Sequence, residues 1–107
     1  RLAIARDQMS SRQKLYGEFL VEAQRLVVQA RDEKVSSLAD LNSMNGKFAE
    51  LCLVAAPTLI AEAQKLADYA LTSHSAQAAK EVENFFNLKQ SFIVAAREDL
   101  RQLLSDA

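Results

Sequence analysis

Residues 15–30, LYGEFLVEAQRLVVQA, decide the fold class of this chain. Apolar side chains recur there at alternating steps of three and four residues, which is the stripe of an amphipathic helix. The stripe passes through Tyr16, Phe19, Ala23, Leu26 and Ala30. The same steps continue back to Leu2, and Arg12 is the polar residue among them. We predict a first helix over about residues 2–34, with the long side chain of Arg12 snorkelling out of a seam that is no longer buried there.

Three further segments show helical periodicity, and we predict helices over about residues 37–55, 57–73 and 77–105. Asn45-Gly46 would suit a turn, yet the apolar period continues in phase across it, so we interpret Gly46 as an unfavourable residue inside a helix. Pro57 favours a helix start, because proline suits the first helical position. The predicted core contains four nearly fully buried side chains: Phe19, Phe48, Leu66 and Phe92.

Composition supports an all-α domain. The chain has 107 residues, room for one domain, and it contains eighteen Ala but only two Gly and one Pro. Alanine has the best helix propensity, whereas glycine and proline are the usual interrupters. Four amphipathic helices joined by short connections pack most simply as an antiparallel bundle. We therefore predict a single domain over residues 1–107, an up-down-up-down four-helix bundle with a long first helix.

The charge balance argues against a nucleic-acid partner. The net charge is −1 and the isoelectric point is about 5.8, so no net basic field draws in nucleic acid or an anionic membrane surface. Basic residues nevertheless dominate the first fourteen positions. The longest apolar run is Leu51–Ala56, far short of the roughly twenty residues that span a bilayer, so we expect this stretch to be soluble. Because it begins at Arg1 rather than Met, we also expect its natural N-terminus to have been removed or to lie upstream.

The sequence lacks the residues that several kinds of metal and catalytic site require. One cysteine, Cys52, and one histidine, His74, cannot supply four ligands to a structural zinc, and Leu71 stands where a di-iron Glu-x-x-His motif would need glutamate. Nucleophilic catalysis would have to pair Cys52 or a serine with His74. We predict no catalytic, metal or cofactor site, a buried structural thiol at Cys52, and an exposed His74 at a helix end.

Glu18, Glu22 and Arg25 lie together on the first segment, on the side opposite its apolar seam. One interpretation is an ordinary solvated face with ion pairs at i,i+3 and i,i+4, each worth only tenths of a kcal/mol. The other is a recognition surface for a partner. We take these three residues as the candidate interaction surface.

The stretch Leu15–Leu26 resembles a motif of uncharacterised bacterial proteins, L-Y-x-[DE]-F-[IL]-x-E-A-x-R-L. Two further pieces are similar to that group: Thr58–Ala63, directly after Pro57, and the spaced set Phe92, Ala95, Arg97 and Leu100. Proteins of the group commonly place a single transmembrane segment just before the helix with the first motif, and they have no established activity. The resemblance therefore implies a membrane anchor upstream of this chain.

Taken together, these patterns favour a non-catalytic helical module, anchored to a bacterial inner membrane, that contacts another protein or itself. Basic residues beside a transmembrane segment favour the cytoplasmic side, so we expect the bundle in the cytosol with the N-terminal end of its first helix toward the membrane. A cytoplasmic protein without an anchor is the alternative location. The alternative function is a signalling bundle that senses a ligand or relays phosphate through His74, and a third is an enzyme with an unrecognised site.

Overall fold

The computed structural model describes residues 2–31, 38–72 and 82–105, and within these ranges the chain forms four α-helices and no strand. The helices are α1 (Leu2–Arg31), α2 (Leu38–Val54), α3 (Pro57–Thr72) and α4 (Val82–Ser105). Each predicted segment contains its helix, so the all-α class is confirmed. The predicted helix ends at residues 32–34, 37, 73 and 77–81 lie outside the described residues.

Neighbouring helices run antiparallel, because the contacts between them run in opposite order along the two helices. Glu18 contacts Lys47 while Gln29 contacts Asp40, and Tyr16 contacts Asp99 while Gln24 contacts Lys89. Phe19 of α1 lies 6.0 Å from Phe48 of α2 and 5.4 Å from Phe92 of α4, measured between ring centroids. Tyr69 near the end of α3 stacks on Phe85 near the start of α4, at 5.6 Å. α1 packs against all three other helices, and α3 packs against α2 and α4. This is the predicted up-down-up-down bundle.

The core consists of apolar side chains that all four helices contribute. Its largest fully buried members are Phe19, Phe92, Leu26, Met44, Leu51, Leu59 and Leu66. Three of the four predicted core residues are therefore confirmed. The prediction for Phe48 is wrong in degree: its ring packs against the core but is only partly buried. The cause is its place on α2, which packs mainly against α1 and α3 and leaves the edge of that interface open to water.

α1 is longer than the three helices that it packs against. It has 30 residues, against 17, 16 and 24 in α2, α3 and α4, and its length of about 45 Å sets the longest dimension of the molecule, 49 Å. Among its described side chains, Tyr16 is the first that is buried, while Ile4 is 62% exposed. The N-terminal turns of α1 are thus helical without being part of the core. Across the described helices, no stretch combines the length and hydropathy that a bilayer crossing requires.

The junction between α2 and α3 lies where the sequence predicts it. The Ala55 amide donates to the Leu51 carbonyl at 2.9 Å, which is the last bond of α2, and the Ile60 amide donates to the Ala56 carbonyl at 3.0 Å, which is the first of α3. Ala56 is therefore the N-cap residue and Pro57 occupies the first helical position, as predicted. Gly46 lies inside an unbroken α2, which confirms the helical interpretation over the turn.

Candidate functional site

The candidate interaction surface lies where α1 borders α2. The Lys47 ammonium of α2 contacts Glu18 at 3.1 Å and Glu50 at 3.8 Å. The hydrogen bond that Lys47 donates to Glu18, and then the negative charges of Glu18 and Glu50, raise the pKa of Lys47. Glu18 thus pairs across the helix interface rather than along its own helix, and the surface extends onto α2.

Glu22 is more enclosed than its position in the sequence suggests. Its side chain is only 14% exposed, and one carboxylate oxygen pairs with Arg25 at 3.2 Å, the expected i,i+3 contact. The other oxygen, Oε2, is buried, with no hydrogen-bond partner among the described residues. An unpaired buried carboxylate oxygen is costly and can accept a donor from outside the chain. The three predicted residues therefore lie together, although Glu22 is not on a freely solvated face.

A shallow, open groove of about 640 Å³ runs along α1 beside this surface. Gly17 lies in its lining, and because glycine has no side chain the surface is lowered there. Lys14, Val21 and Glu22 also line the groove. Such a lining offers apolar contact and charges of both signs, which suits recognition of a side chain or helix better than bond-breaking chemistry.

Asp99 of α4 is the polar residue that the sequence analysis missed. It is 7% exposed, and its two oxygens accept different donors. Oδ2 accepts from the Tyr16 hydroxyl at 2.5 Å, and Oδ1 accepts from the Ala56 amide at 3.1 Å. Asp99 therefore joins α1, α4 and the junction between α2 and α3.

The bond to Ala56 has a clear structural use. The methyl side chain of Ala56 has no polar atom with which to cap α3. In a capping box, a carboxylate on the third residue of the helix would accept the amide of the N-cap residue. Here Asp99 accepts that amide from another helix. The periodicity of α4 could not reveal this, because the acceptor and the donor are 43 residues apart in the chain.

Arg12 completes this buried network. Its guanidinium lies 3.8 Å from Asp99 Oδ2, and its side chain is 25% exposed. The prediction that Arg12 snorkels from an unburied seam is incomplete, because the cation has a specific partner. Burial, and secondly the hydrogen bond to Asp99, raise the pKa of Tyr16 well above its usual value. A tyrosine that holds its proton this firmly acts as a hydrogen-bond donor and not as a base.

The remaining candidates do not form a site. Cys52 is exposed, so the predicted buried thiol is wrong: it follows the buried Leu51 by one residue and points to another side of α2. His74 lies outside the described residues. In residues 2–31, 38–72 and 82–105, no group of three or more His, Cys, Asp or Glu side chains could hold a metal ion. No protein-family model, curated protein or solved structure matches the chain.

Proposed function

We propose that this chain is a non-catalytic helical interaction module. In this proposal it belongs to a membrane-anchored bacterial protein and lies outside the bilayer. In this proposal, the bundle contacts another protein or a second copy of itself. The anchor lies upstream of α1 and holds its N-terminal end near the inner membrane, with the bundle in the cytosol.

The length of α1 and the exposure of its N-terminal turns support this proposal. Its N-terminal turns remain helical beyond the α2–α3 junction, with Ile4 and Arg6 exposed, so they contribute little to the core. A helix that extends beyond its bundle can connect the bundle to something else. The motif over Leu15–Leu26 and the basic residues near the start of the chain support a membrane as that connection.

The buried polar network supports a role without catalysis. Buried polar groups with a perturbed pKa are candidates for catalytic residues. Here both oxygens of Asp99 accept hydrogen bonds that hold helices together, and Tyr16 retains its proton. A structural purpose therefore accounts for Tyr16 and Asp99.

The anchor is tested with the native gene, expressed with a C-terminal reporter that is active only in the cytosol. The membranes are then separated and washed with high salt and with carbonate. We expect the full-length protein to remain in the membrane fraction with an active reporter. Recovery in the soluble fraction would reject the anchor, and retention with a silent reporter would reverse the orientation.

The interaction surface is tested by placing a photo-crosslinking residue at Arg25 in cells, with the same residue at Ala61 of α3 as the matched exposed control. We expect a crosslinked adduct of constant mass from position 25 and none from position 61. Charge reversal by Glu18→Lys should weaken the adduct. Equal labelling from both positions would show that Glu18, Glu22 and Arg25 do not form a specific interaction surface.

A further inference from the structure

The surface shared by α1 and α4 differs in character from the surface shared by α1 and α2. Lys89 of α4 donates from Nζ to Gln24 Oε1 of α1 at 3.1 Å, so these two side chains mark where the helices meet at the surface. Residues separated from a marker by whole helical turns lie on the same side. Arg6 lies five turns before Gln24 and Gly17 about two turns before it, so both belong to this side of α1.

Exposed apolar side chains accompany these markers. Val21 and Val28, which lie three residues before and four after Gln24, are 58% and 44% exposed. On α4, Phe86 lies three residues before Lys89 and is 55% exposed, and Ile93 lies four after it and is partly exposed. The apolar strip continues to Leu104 at 37%. Isolated exposed apolar residues are common, but here they follow one side of two adjacent helices.

The charges on this side are mostly positive. Lys14 lies seven residues before Val21, and Arg97 lies eight after Lys89; both are exposed, and neither forms an ion pair with another described residue. Asp7, seven residues before Lys14, is an acidic residue of this side.

Glu18 and Glu22 line the same groove as Lys14 and Val21, but each of these carboxylates is paired with a cation. Glu18 pairs with Lys47 of α2, and Glu22 pairs with Arg25. We call the basic and apolar side the α1/α4 face, and its members used below are Lys14, Val21, Val28, Phe86, Lys89 and Arg97.

We propose that the α1/α4 face binds the surface of an anionic lipid bilayer. Basic side chains alternating with exposed apolar ones suit the boundary between headgroups and acyl chains. Cations on long side chains reach anionic headgroups while their stems and the neighbouring apolar groups enter the boundary. Nucleic acid would use the cations but would leave Phe86 and Val21 in water.

This inference goes beyond an upstream anchor. An anchor determines which end of α1 lies near the bilayer, whereas the α1/α4 face determines which side of the bundle lies against it. The 107-residue chain has no membrane-crossing helix among its described residues, so binding of this chain to vesicles reports on the face and not on an anchor.

The test is cosedimentation of the 107-residue chain with vesicles of phosphatidylcholine alone and of phosphatidylcholine mixed with phosphatidylglycerol. We expect binding to the mixed vesicles, little binding to phosphatidylcholine, and weaker binding as salt is raised, because salt screens exposed charges. Added salt should not release a chain held by apolar contact alone, so the salt dependence separates the two contributions.

Variants locate the binding side. Lys14→Glu and Arg97→Glu should each weaken binding by about tenfold, since reversal removes one favourable charge and adds an unfavourable one. Lys65→Glu makes the same change of charge at an exposed position of α3 and should alter binding by less than about twofold. Phe86→Ser should also weaken binding, and circular dichroism should show that all four variants remain helical.

Three outcomes would overturn the proposal. One is no cosedimentation with the mixed vesicles, and another is an equal loss of binding in Lys14→Glu and Lys65→Glu. The third is binding of the chain to polyglutamate but not to anionic vesicles, which would assign the α1/α4 face to an acidic protein partner.

Discussion

At the scale of single residues, Asp99 of α4 connects α1 with the junction between α2 and α3. It accepts the Tyr16 hydroxyl of α1 and the Ala56 amide at the α2–α3 junction, and it lies beside Arg12. Removing this carboxylate leaves the buried Tyr16 hydroxyl and the partly buried Ala56 amide without their acceptor. The cost of that change exceeds the modest net value of the bonds themselves.

We therefore expect Asp99→Ala to lower the free energy of unfolding by about 2–4 kcal/mol, because two donors lose their acceptor. Tyr16→Phe, which removes one donor, should cost about 1–2 kcal/mol. Urea denaturation measures both values. The matched control is Glu98→Ala, which removes the adjacent exposed carboxylate and should leave the denaturation midpoint almost unchanged. An equal effect of Asp99→Ala and Glu98→Ala would contradict the network.

Tyr16 also predicts how stability depends on alkaline pH. Its pKa is raised in the folded state, so between its ordinary value of about 10 and the higher folded value only the unfolded chain releases the proton. This contribution is complete below pH 10 and is lost as pH rises further, by at most about 1.4 kcal/mol per pH unit. Chemical denaturation between pH 8 and pH 11 should show a smaller loss for Tyr16→Phe than for the natural chain. Identical pH profiles would show that Tyr16 does not hold its proton in the fold.

Phe92 gives a test of the core. It is 1% exposed and contacts Phe19, so Phe92→Ala should cost about 3–5 kcal/mol through lost transfer free energy and an unfilled cavity. Phe86 lies on the same helix and is 55% exposed, so Phe86→Ala should cost far less. Denaturation midpoints compare the two variants. If they fall equally, the side of α4 assigned to the core is wrong.

At the scale of elements, α2 is the helix whose sequence fits its structure least well. Gly46 lies in its interior, and a Cβ added there would meet nothing within 4 Å. The helix persists because Met44 and Leu51 on either side of the glycine are fully buried. Tertiary packing thus overrides a local preference that would otherwise favour a turn.

Gly46→Ala should therefore stabilise the protein by up to about 1 kcal/mol, since alanine has the higher helix propensity and the site has space for its methyl group. Gly17→Ala in α1 should act similarly, because that position is also helical with open space around it. Thermal melts measure both. A lower melting temperature for Gly46→Ala would mean that α2 does not continue through this residue.

At the scale of the whole molecule, folding should not depend on a metal ion. One cysteine and one histidine are too few for a structural zinc site in one chain, and the described residues contain no cluster of potential ligands. Thermal melts with and without a strong chelator should superimpose. A lower melting temperature with chelator would reveal a site shared between chains.

The distribution of charge also emerges only at this scale. A net charge of −1 predicts no attraction to an anionic surface, yet the described cations Lys14, Lys89 and Arg97 gather on one side. Glu18 and Glu22 border the same groove as Lys14, and they are paired with Lys47 and Arg25. Composition averages over the surface, whereas a partner meets one side of it.

The sequence by itself determined the helices, their order and most of the core. Periodicity places Phe19, Leu66 and Phe92 correctly because a side chain's direction on a helix follows from its number in the chain. The tertiary structure alone decided the partial exposure of Phe48, the exposure of Cys52, the partner of Arg12 and the burial of Asp99. Each of these depends on how far a neighbouring helix reaches and which groups it brings near. Contacts between residues 43 or 83 positions apart leave no trace in a local pattern.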